Sequence, residues 1–162
     1  MKIRHFLLLV VVLMSSWAAG CAPARSGMTY ASEGGHGEVR GKMNGVEFCA
    51  AVEIGEGGEQ LRVEYLSPPS LCGLTLTARG EACEVKLGDV FFTCETSDVV
   101  GFLRPITAFL PTEEASTVQK EGDNTVLTFP TGGVLILSPA GEPISLSRND
   151  IEMHVVWWER GR

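Results

Sequence analysis

The chain has 162 residues, of which 44% belong to the hydrophobic set and 20% are charged, so it is long enough for one domain with a buried core. Its 13 lysines and arginines stand against 20 aspartates and glutamates, a formal net charge of -7, which gives no basic surface for nucleic-acid phosphates. Composition argues against a disordered tail, a multidomain enzyme and a nucleic-acid partner, and it predicts an acidic globular protein.

The first twenty residues have the layout of a secretory signal peptide. Two basic residues, Lys2 and Arg4, precede an apolar run over residues 6–14, and small residues follow it. A membrane-spanning helix needs about 20 apolar residues, and this run has roughly half that length. The segment 1–20 is therefore predicted to be a leader that is removed, and not a transmembrane anchor.

The end of the leader resembles the bacterial lipobox, in which small residues precede a cysteine that is alkylated with diacylglycerol and becomes the new N-terminus. Here residues 18–20 are Ala-Ala-Gly and the cysteine is Cys21. The resemblance implies a lipoprotein with a palmitate-type anchor on Cys21, held extracytoplasmically at the cell membrane, or at the outer membrane if the cell has one. The alternative is ordinary secretory cleavage, for instance after Ala22 or Ala24, which discards Cys21.

Removal of the leader leaves 11 basic and 20 acidic side chains, a net charge of -9. An anionic bilayer repels such a domain, so the lipid itself would have to hold it at the membrane. Residues 22–37 are small, polar and glycine-rich without an apolar period, which predicts a flexible tether. The predicted organisation is a lipoprotein signal peptide at 1–20, a lipid-anchored linker at 21–43 and a β domain at 44–160.

The β domain is predicted to begin with a long hairpin. Apolar and polar residues alternate over residues 46–54, a turn signal stands at 56–58, and the alternation resumes over 61–65. Folding the chain over residues 55–58 puts both apolar sets on one face, as a correct register requires. The predicted pairs are Val52 with Leu61 and Phe48 with Tyr65.

Three short strands are predicted next, at residues 72–77, 83–87 and 90–94. A turn at residues 78–80 separates the first two, and the last two are joined by a tight Gly88-Asp89 turn. A two-residue turn fixes the pairing of the strands that it joins. The predicted pairs are Leu87 with Val90, Val85 with Phe92 and Cys83 with Cys94.

The period changes from two to helical over residues 97–110. Ser97 is a plausible N-cap, Pro105 is expected to kink the helix or to start a second turn after Arg104, and Pro111 ends it. The remaining predicted strands are a weak one around Val118 and others at 125–129, 134–137, 144–146 and 151–158. A single helix of about 20 Å does not cover a sheet of eight or nine antiparallel strands. The predicted fold is therefore mainly antiparallel β, a curled open barrel with an apolar helix packed on or in it.

This order of elements resembles the bacterial LolA/LolB-like lipoprotein-carrier superfamily. The resemblance spans about residues 46–158 and rests on the first hairpin, the prolines after it, the Leu-Cys-Gly-Leu-Thr-Leu segment at 71–76, the mid-chain helix and the Gly-Glu-Pro turn at 141–143. It implies an unclosed apolar-lined barrel plugged by helices, of the kind in which some members carry acyl chains. Two features depart from the family: carriers usually have a helix before the first strand, and they lack four cysteines in the body of the domain.

Four cysteines remain once Cys21 is assigned to the anchor. An even number outside the cytoplasm permits up to two disulfides, and Cys83 with Cys94 is the best predicted pair because the two face each other across a tight hairpin. The alternative is that all four are small buried apolar residues that stay reduced. The remaining two cysteines are Cys49 and Cys72. No pair has the close spacing typical of a zinc site, so no metal site is predicted.

The sequence offers no enzyme site. His154 is the histidine that lies within a predicted strand, and a lone histidine there is more often a sheet-surface residue than a catalytic base. No nucleophile elbow, zinc-protease motif, Walker loop or dinucleotide fingerprint is present. We therefore predict no catalytic residue and no cofactor.

Two functions remain open. The first is binding of an acyl chain, lipid or lipoprotein in an apolar half-barrel cavity, and the second is a non-catalytic structural or interaction module with a solid core and an envelope protein as partner. Trp157 and Trp158 are predicted to point to opposite faces of the last strand, so the outward indole is a candidate contact for a partner or a membrane surface. The candidate cavity residues are Phe48, Val52, Leu61, Val63, Tyr65, Leu74, Leu76, Val85 and Phe92.

Overall fold

A computed structural model of the chain describes residues 28–161, and these form one sheet with two short helices. The helices are α1 (Thr29–Glu33) and α2 (Val100–Thr107). The strands are β1 (Gly35–Met43), β2 (Val46–Ile54), β3 (Gln60–Ser67), β4 (Thr75–Arg79), β5 (Ala82–Leu87), β6 (Val90–Glu95), β7 (Thr117–Glu121), β8 (Asn124–Thr128), β9 (Val134–Leu137), β10 (Pro143–Arg148) and β11 (Ile151–Arg160). Short 3-10 turns lie at Glu56–Gly58 and Thr96–Val99.

All eleven strands belong to one antiparallel sheet with the order β6-β5-β4-β3-β2-β1-β11-β10-β9-β8-β7. Neighbours in the sheet are neighbours in the chain except at β1, which pairs with both β2 and the last strand, β11. The sheet curls but does not close, so β6 and β7 are its two edges. This confirms the predicted open, mainly antiparallel β fold with a packed helix, although eight or nine strands were expected.

The core lies on the concave side of the curled sheet. Every strand from β1 to β5 and from β8 to β11 contributes buried apolar side chains to one continuous cluster. Helix α2 packs on β2 and β3 and adds Leu103 and Ile106, and Phe109 follows directly after it. The Tyr65 hydroxyl of β3 donates a hydrogen bond to the Phe102 carbonyl at 2.8 Å, which fixes the helix to the sheet. Burial raises the pKa of Tyr65 to about 12, so this hydroxyl stays protonated and remains a donor.

The predicted linker at 21–43 is wrong over residues 28–43, which belong to the folded domain. Met28, Tyr30 and Val39 are buried, and β1 pairs along its whole length with two neighbours. No sign of this strand was visible in the sequence because three of its inward positions are glycines, so apolar side chains do not recur at every second residue. Residues 1–27, and with them the predicted signal peptide and Cys21, lie outside the described residues.

The inward glycines of β1 are required by close packing against β11. A Cβ built on Gly41 would lie 2.0 Å from the Glu152 carbonyl oxygen, and one on Gly37 would lie 2.4 Å from that of Trp157. Real Cβ atoms do not approach oxygen atoms this closely, so a side chain at either position would force the two strands apart. The glycine content that suggested a flexible tether therefore reflects tight strand packing.

The register predicted for the first hairpin is wrong by two residues. The observed pairs are Val52 with Val63 and Ala50 with Tyr65, because the ladder continues to a hydrogen bond of 2.7 Å from the Gly55 amide to the Gln60 carbonyl. The loop therefore comprises residues 56–59 instead of the expected 55–58. A shift of two keeps every side chain on its predicted face, so the error does not change which residues are inside.

The β5–β6 hairpin confirms its predicted register. Leu87 pairs with Val90, Val85 with Phe92 and Cys83 with Cys94. The strand expected at 72–77 begins instead at Thr75 and runs to Arg79, where a turn was predicted. Two backbone hydrogen bonds, Tyr65 N–H to the Leu74 carbonyl and Gly73 N–H to the Tyr65 carbonyl, hold the preceding loop against the end of β3.

Helix α2 is shorter than the helix predicted at 97–110. The chain first makes the 3-10 turn Thr96–Val99, and Val99 is the N-cap residue without a side-chain capping bond, so the predicted cap at Ser97 is wrong. The Ser97 hydroxyl instead lies 3.3 Å from a carboxylate oxygen of Glu95. Neither described helix is long and apolar enough to cross a membrane.

Candidate functional site

Eight of the nine predicted cavity residues lie among the buried or partly buried core residues, and Phe92 is exposed. Phe48, Val52, Val63, Tyr65, Leu76 and Val85 are buried, and Leu61 and Leu74 are partly buried against the core. The concave face predicted from alternation is therefore largely covered. Its cover is Leu103, Ile106 and Phe109, which occupy the space that a ligand would need in an open barrel.

One part of the concave face remains uncovered, at the tip of the β5–β6 hairpin. We call the side chains of Leu87, Val90 and Phe92 the apolar strip; they are 46%, 61% and 49% exposed. They share a face with the buried Val85 and Cys83, because each pairs directly across the hairpin or alternates with them along a strand. The strip therefore continues the core surface outward.

The two edges of the sheet differ in chemistry. Edge strand β7 carries polar and charged side chains, among them Lys120 and Glu121, and charges of this kind prevent pairing with another chain. Edge strand β6 begins Val-Phe-Phe, and its second residue, Phe91, is 63% exposed on the convex side. Among the described residues, β6 thus combines an open edge with apolar side chains on both faces.

The last strand places its two tryptophans on opposite faces, as predicted. Trp158 points inward and packs edge-on against Tyr30, with ring centroids 5.9 Å apart. Trp157 points outward, is 46% exposed and meets His36 edge-on at 5.6 Å. The outward indole is therefore the one available to a ligand or partner.

The four cysteines of the described residues are free in this structure. Cys83 and Cys94 face each other as predicted, and burial raises the pKa of the Cys83 thiol, with Cys94 adding to the shift. The disulfide between them stays a prediction. Cys49 donates a hydrogen bond from its thiol to Glu38 at 3.3 Å, and its pKa is raised by burial and by that carboxylate. A thiol with a raised pKa is a poor nucleophile.

Residues 28–161 contain no cluster of side chains typical of a metal site, and His154 has no catalytic partner in that part of the chain. His154 is exposed on the convex face and pairs across the ladder with Arg40 of β1. No group of three or more histidine, cysteine, aspartate or glutamate side chains is placed to hold a metal ion within residues 28–161. His154 accordingly occupies the sheet-surface position that its sequence context predicted.

An ion pair that the sequence did not reveal fixes the far end of α2. Arg104 makes two hydrogen bonds of 2.7 Å to the carboxylate of Asp150, which lies in the β10–β11 turn. These bonds are the main cause that lowers the pKa of Asp150. The partners are 46 residues apart, so no local pattern could have signalled the contact. The pair fixes the position of the helix over the open side of the sheet.

Comparison with known proteins shows similarity in structure only. The chain is similar to an uncharacterized conserved protein from Thermus thermophilus, with a TM-score of 0.55 and 15% identity over 86% of this chain and 83% of that chain. A LolA superfamily protein from Nitrosomonas europaea aligns with a TM-score of 0.40 and 13% identity over 80% of this chain and 73% of that chain. No family profile and no curated protein matches the sequence. The first similarity shows a shared fold, and at this identity it assigns no activity.

Proposed function

We propose that this chain is an extracytoplasmic bacterial lipoprotein, anchored through Cys21, whose LolA/LolB-like domain binds an acyl chain or a similarly apolar ligand. The observation that carries the proposal is the apolar strip. It is exposed apolar surface on the concave face, directly continuous with the core. Exposed apolar surface of this kind marks a contact site for a ligand or partner.

The strip supports weak, reversible binding. Full burial of a leucine, valine or phenylalanine side chain contributes about 1.5–3 kcal/mol, so three half-exposed side chains contribute roughly 2–4 kcal/mol. Because α2 already fills the middle of the concave face, the ligand would lie at the hairpin tip and not within a closed cavity.

The strip lies at the end of the sheet opposite to α1, the first described helix, which the proposed anchor would precede. Helix α1 packs beside the β2–β3 turn, and Thr29 donates a hydrogen bond to the Ala140 carbonyl at that same end. The strip lies beside the Gly88-Asp89 turn, at the other end of the strands. The seven residues 21–27 reach at most about 25 Å when fully extended. In this proposal the ligand is held on the side of the domain that faces away from its own anchor.

Replacement of Cys21 tests the anchor. In cells expressing the full chain and fed radiolabelled palmitate, we expect label on the wild-type protein and none on Cys21→Ser, because the thiol is the acylated atom. The matched control is Cys72→Ser, which removes an exposed thiol of the folded domain and should keep the label. Label that persists in Cys21→Ser would contradict the lipoprotein assignment.

Labelling with a photoactivatable palmitate analogue tests the strip. With the full chain reconstituted in phospholipid nanodiscs, we expect cross-links within residues 87–92 that fall at least fivefold in Phe92→Gln. Phe91→Gln is the matched control, since Phe91 is at least as exposed but lies on the opposite face. Equal loss in both variants, or no labelling of this hairpin in the wild type, would contradict binding on the strip.

A second function, docking of an envelope protein by strand addition at β6, is favoured by the contrast between the two sheet edges. In a two-residue hairpin the two residues beside the turn, here Leu87 and Val90, hydrogen-bond to each other through their backbones. Backbone amides along β6 then point alternately toward β5 and away from it, so those of Phe91 and Thr93 point away. Thr93→Pro removes one outward donor and leaves the strip side chains in place. Loss of a cross-linked partner in Thr93→Pro, with lipid labelling intact, would establish the docking function instead.

A further inference from the structure

The geometry points to a second binding site on the convex face of the sheet: a cleft beside Trp157 that takes a neutral saccharide. The cleft has a volume of about 190 Å³ and lies over β1, β2 and β3. It is separate from the apolar strip, which lies on the concave side, so this inference does not rest on the function proposed above. The polar side chains around the cleft are His36, Glu53, Arg62 and Glu64.

The cleft exists because one small residue interrupts a row of long side chains. Across the sheet, Trp157 pairs with Glu38, Glu38 with Ala51, and Ala51 with Glu64. Alanine at the third position leaves a depression between the indole on one side and Arg62 with its neighbouring carboxylates on the other. The backbone at Gly37 and Val52 completes the floor.

The indole of Trp157 provides an apolar platform at the edge of this depression. Its edge-on contact with His36, at an interplanar angle of 83°, helps to fix the orientation of the ring. An exposed aromatic ring that is held in place offers a large contact area with little loss of conformational entropy. The C–H face of a pyranose ring is flat and apolar and matches such a surface, while its hydroxyls project sideways.

The opposite wall supplies partners for those hydroxyls. The Arg62 guanidinium lies 3.3 Å from a Glu64 carboxylate oxygen and 3.9 Å from one of Glu53, so the wall presents fixed donors and acceptors side by side. Adjacent hydroxyls of a sugar both donate and accept hydrogen bonds, and this wall can satisfy both roles. Glu38, next to Trp157, is held by hydrogen bonds from Cys49 and Arg40, which lower its pKa and keep it an acceptor.

The charge of the cleft favours a neutral ligand. Each cation near the cleft already has a carboxylate partner: Arg62 lies beside Glu53 and Glu64, and Arg40 beside Glu38 at 2.9 Å. Carboxylates outnumber these cations, so an anionic sugar would be repelled. Along β1 the cleft is followed by a larger groove of about 770 Å³ that passes Arg40 and His154. The site therefore fits an oligosaccharide better than a single sugar ring.

Binding of the full chain in nanodiscs to an array of neutral and charged oligosaccharides tests this inference. We expect binding to neutral oligosaccharides, with affinity at least tenfold lower for Trp157→Ala and unchanged for Phe91→Ala, which removes a second exposed convex-face aromatic outside the cleft. A smaller loss is expected for Glu64→Gln, which keeps the shape of the wall. Circular dichroism of each variant confirms that it is folded.

Three outcomes would overturn the inference. The first is an array on which no neutral oligosaccharide binds above empty nanodiscs, and the second is binding that Trp157→Ala leaves unchanged. The third is stronger binding of choline than of any saccharide in direct competition, because it would assign the indole and its carboxylates to a cation-binding site. None of these outcomes bears on palmitate labelling of the β5–β6 hairpin, so failure here is distinguishable from failure of acyl-chain binding.

Discussion

Alanine at Gly41 is expected to destabilise the domain by about 3 kcal/mol or more, the upper range for overpacking a tight interior. The added Cβ would lie 2.0 Å from the Glu152 carbonyl oxygen and 2.8 Å from the Cα of Met153. Both obstructing atoms belong to the backbone of β11, so no side chain can rotate away to make room. The strain must open the β1–β11 ladder, which joins the two halves of the sheet.

Gly101→Ala is the matched control for that substitution. Gly101 lies within α2, has no heavy atom within 4 Å of a built Cβ and lacks a positive φ, so alanine should stabilise the helix by about 0.5–1 kcal/mol. Urea unfolding of the full chain, followed by far-ultraviolet circular dichroism, measures both changes. Similar stabilities for Gly41→Ala and the wild type would show that β1 and β11 do not pack as described.

Tyr30→Ala is expected to cost about 3–5 kcal/mol of unfolding free energy, as for other large aromatic residues truncated in a core. Tyr30 is fully buried although it lies in the segment predicted to be a linker. Its ring packs edge-on against Trp158, and its hydroxyl donates a hydrogen bond to the Phe109 carbonyl. Truncation would leave a cavity between α1 and the core and an unpaired carbonyl.

Two further variants separate the contributions of Tyr30. Tyr30→Phe keeps the ring and removes the hydroxyl, so it should cost only about 1–3 kcal/mol, the penalty for an unsatisfied buried acceptor. Ser32→Ala, on the exposed side of the same helix, should change stability by less than about 0.5 kcal/mol. The measurement is again the urea midpoint and slope. If Tyr30→Ala were as mild as Ser32→Ala, residues 28–34 would not belong to the core.

The sequence predicted the strands that alternate and missed the one that does not. Tight turns such as Gly88-Asp89 fix register through local geometry, and there the pairing of β5 with β6 agreed residue by residue. In β1 the inward positions are mostly glycine, so period two has no apolar side chain to reveal it. The need for glycine comes from β11, more than a hundred residues later in the chain. No local rule detects a requirement imposed at that distance.

For the candidate site, too, local sequence patterns predicted one part of the arrangement and missed the part that depends on long-range contacts. The alternation of apolar and polar residues correctly predicted that eight of the nine proposed cavity residues lie in the core. This works because every second residue of a strand points to the same face of the sheet. It could not say which part of that face α2 would cover, because the position of the helix depends on long-range contacts such as Arg104 with Asp150. Phe92 therefore turned out to be exposed surface and not lining. The cleft beside Trp157 was also out of reach, since it depends on the side-by-side register of four strands.

The position of β1 has a mechanical and a kinetic consequence. It is the sixth of eleven strands across the sheet, so the first strand of the chain is the central strand of the sheet and not an edge. Tension applied to the start of β1 would therefore act on two hydrogen-bond ladders, those with β2 and β11, and not on a single ladder at the border of the sheet. The same arrangement delays folding, because the centre of the sheet forms only after β11, the last strand of the chain, has been synthesised. Until then, β1 presents an unpaired edge.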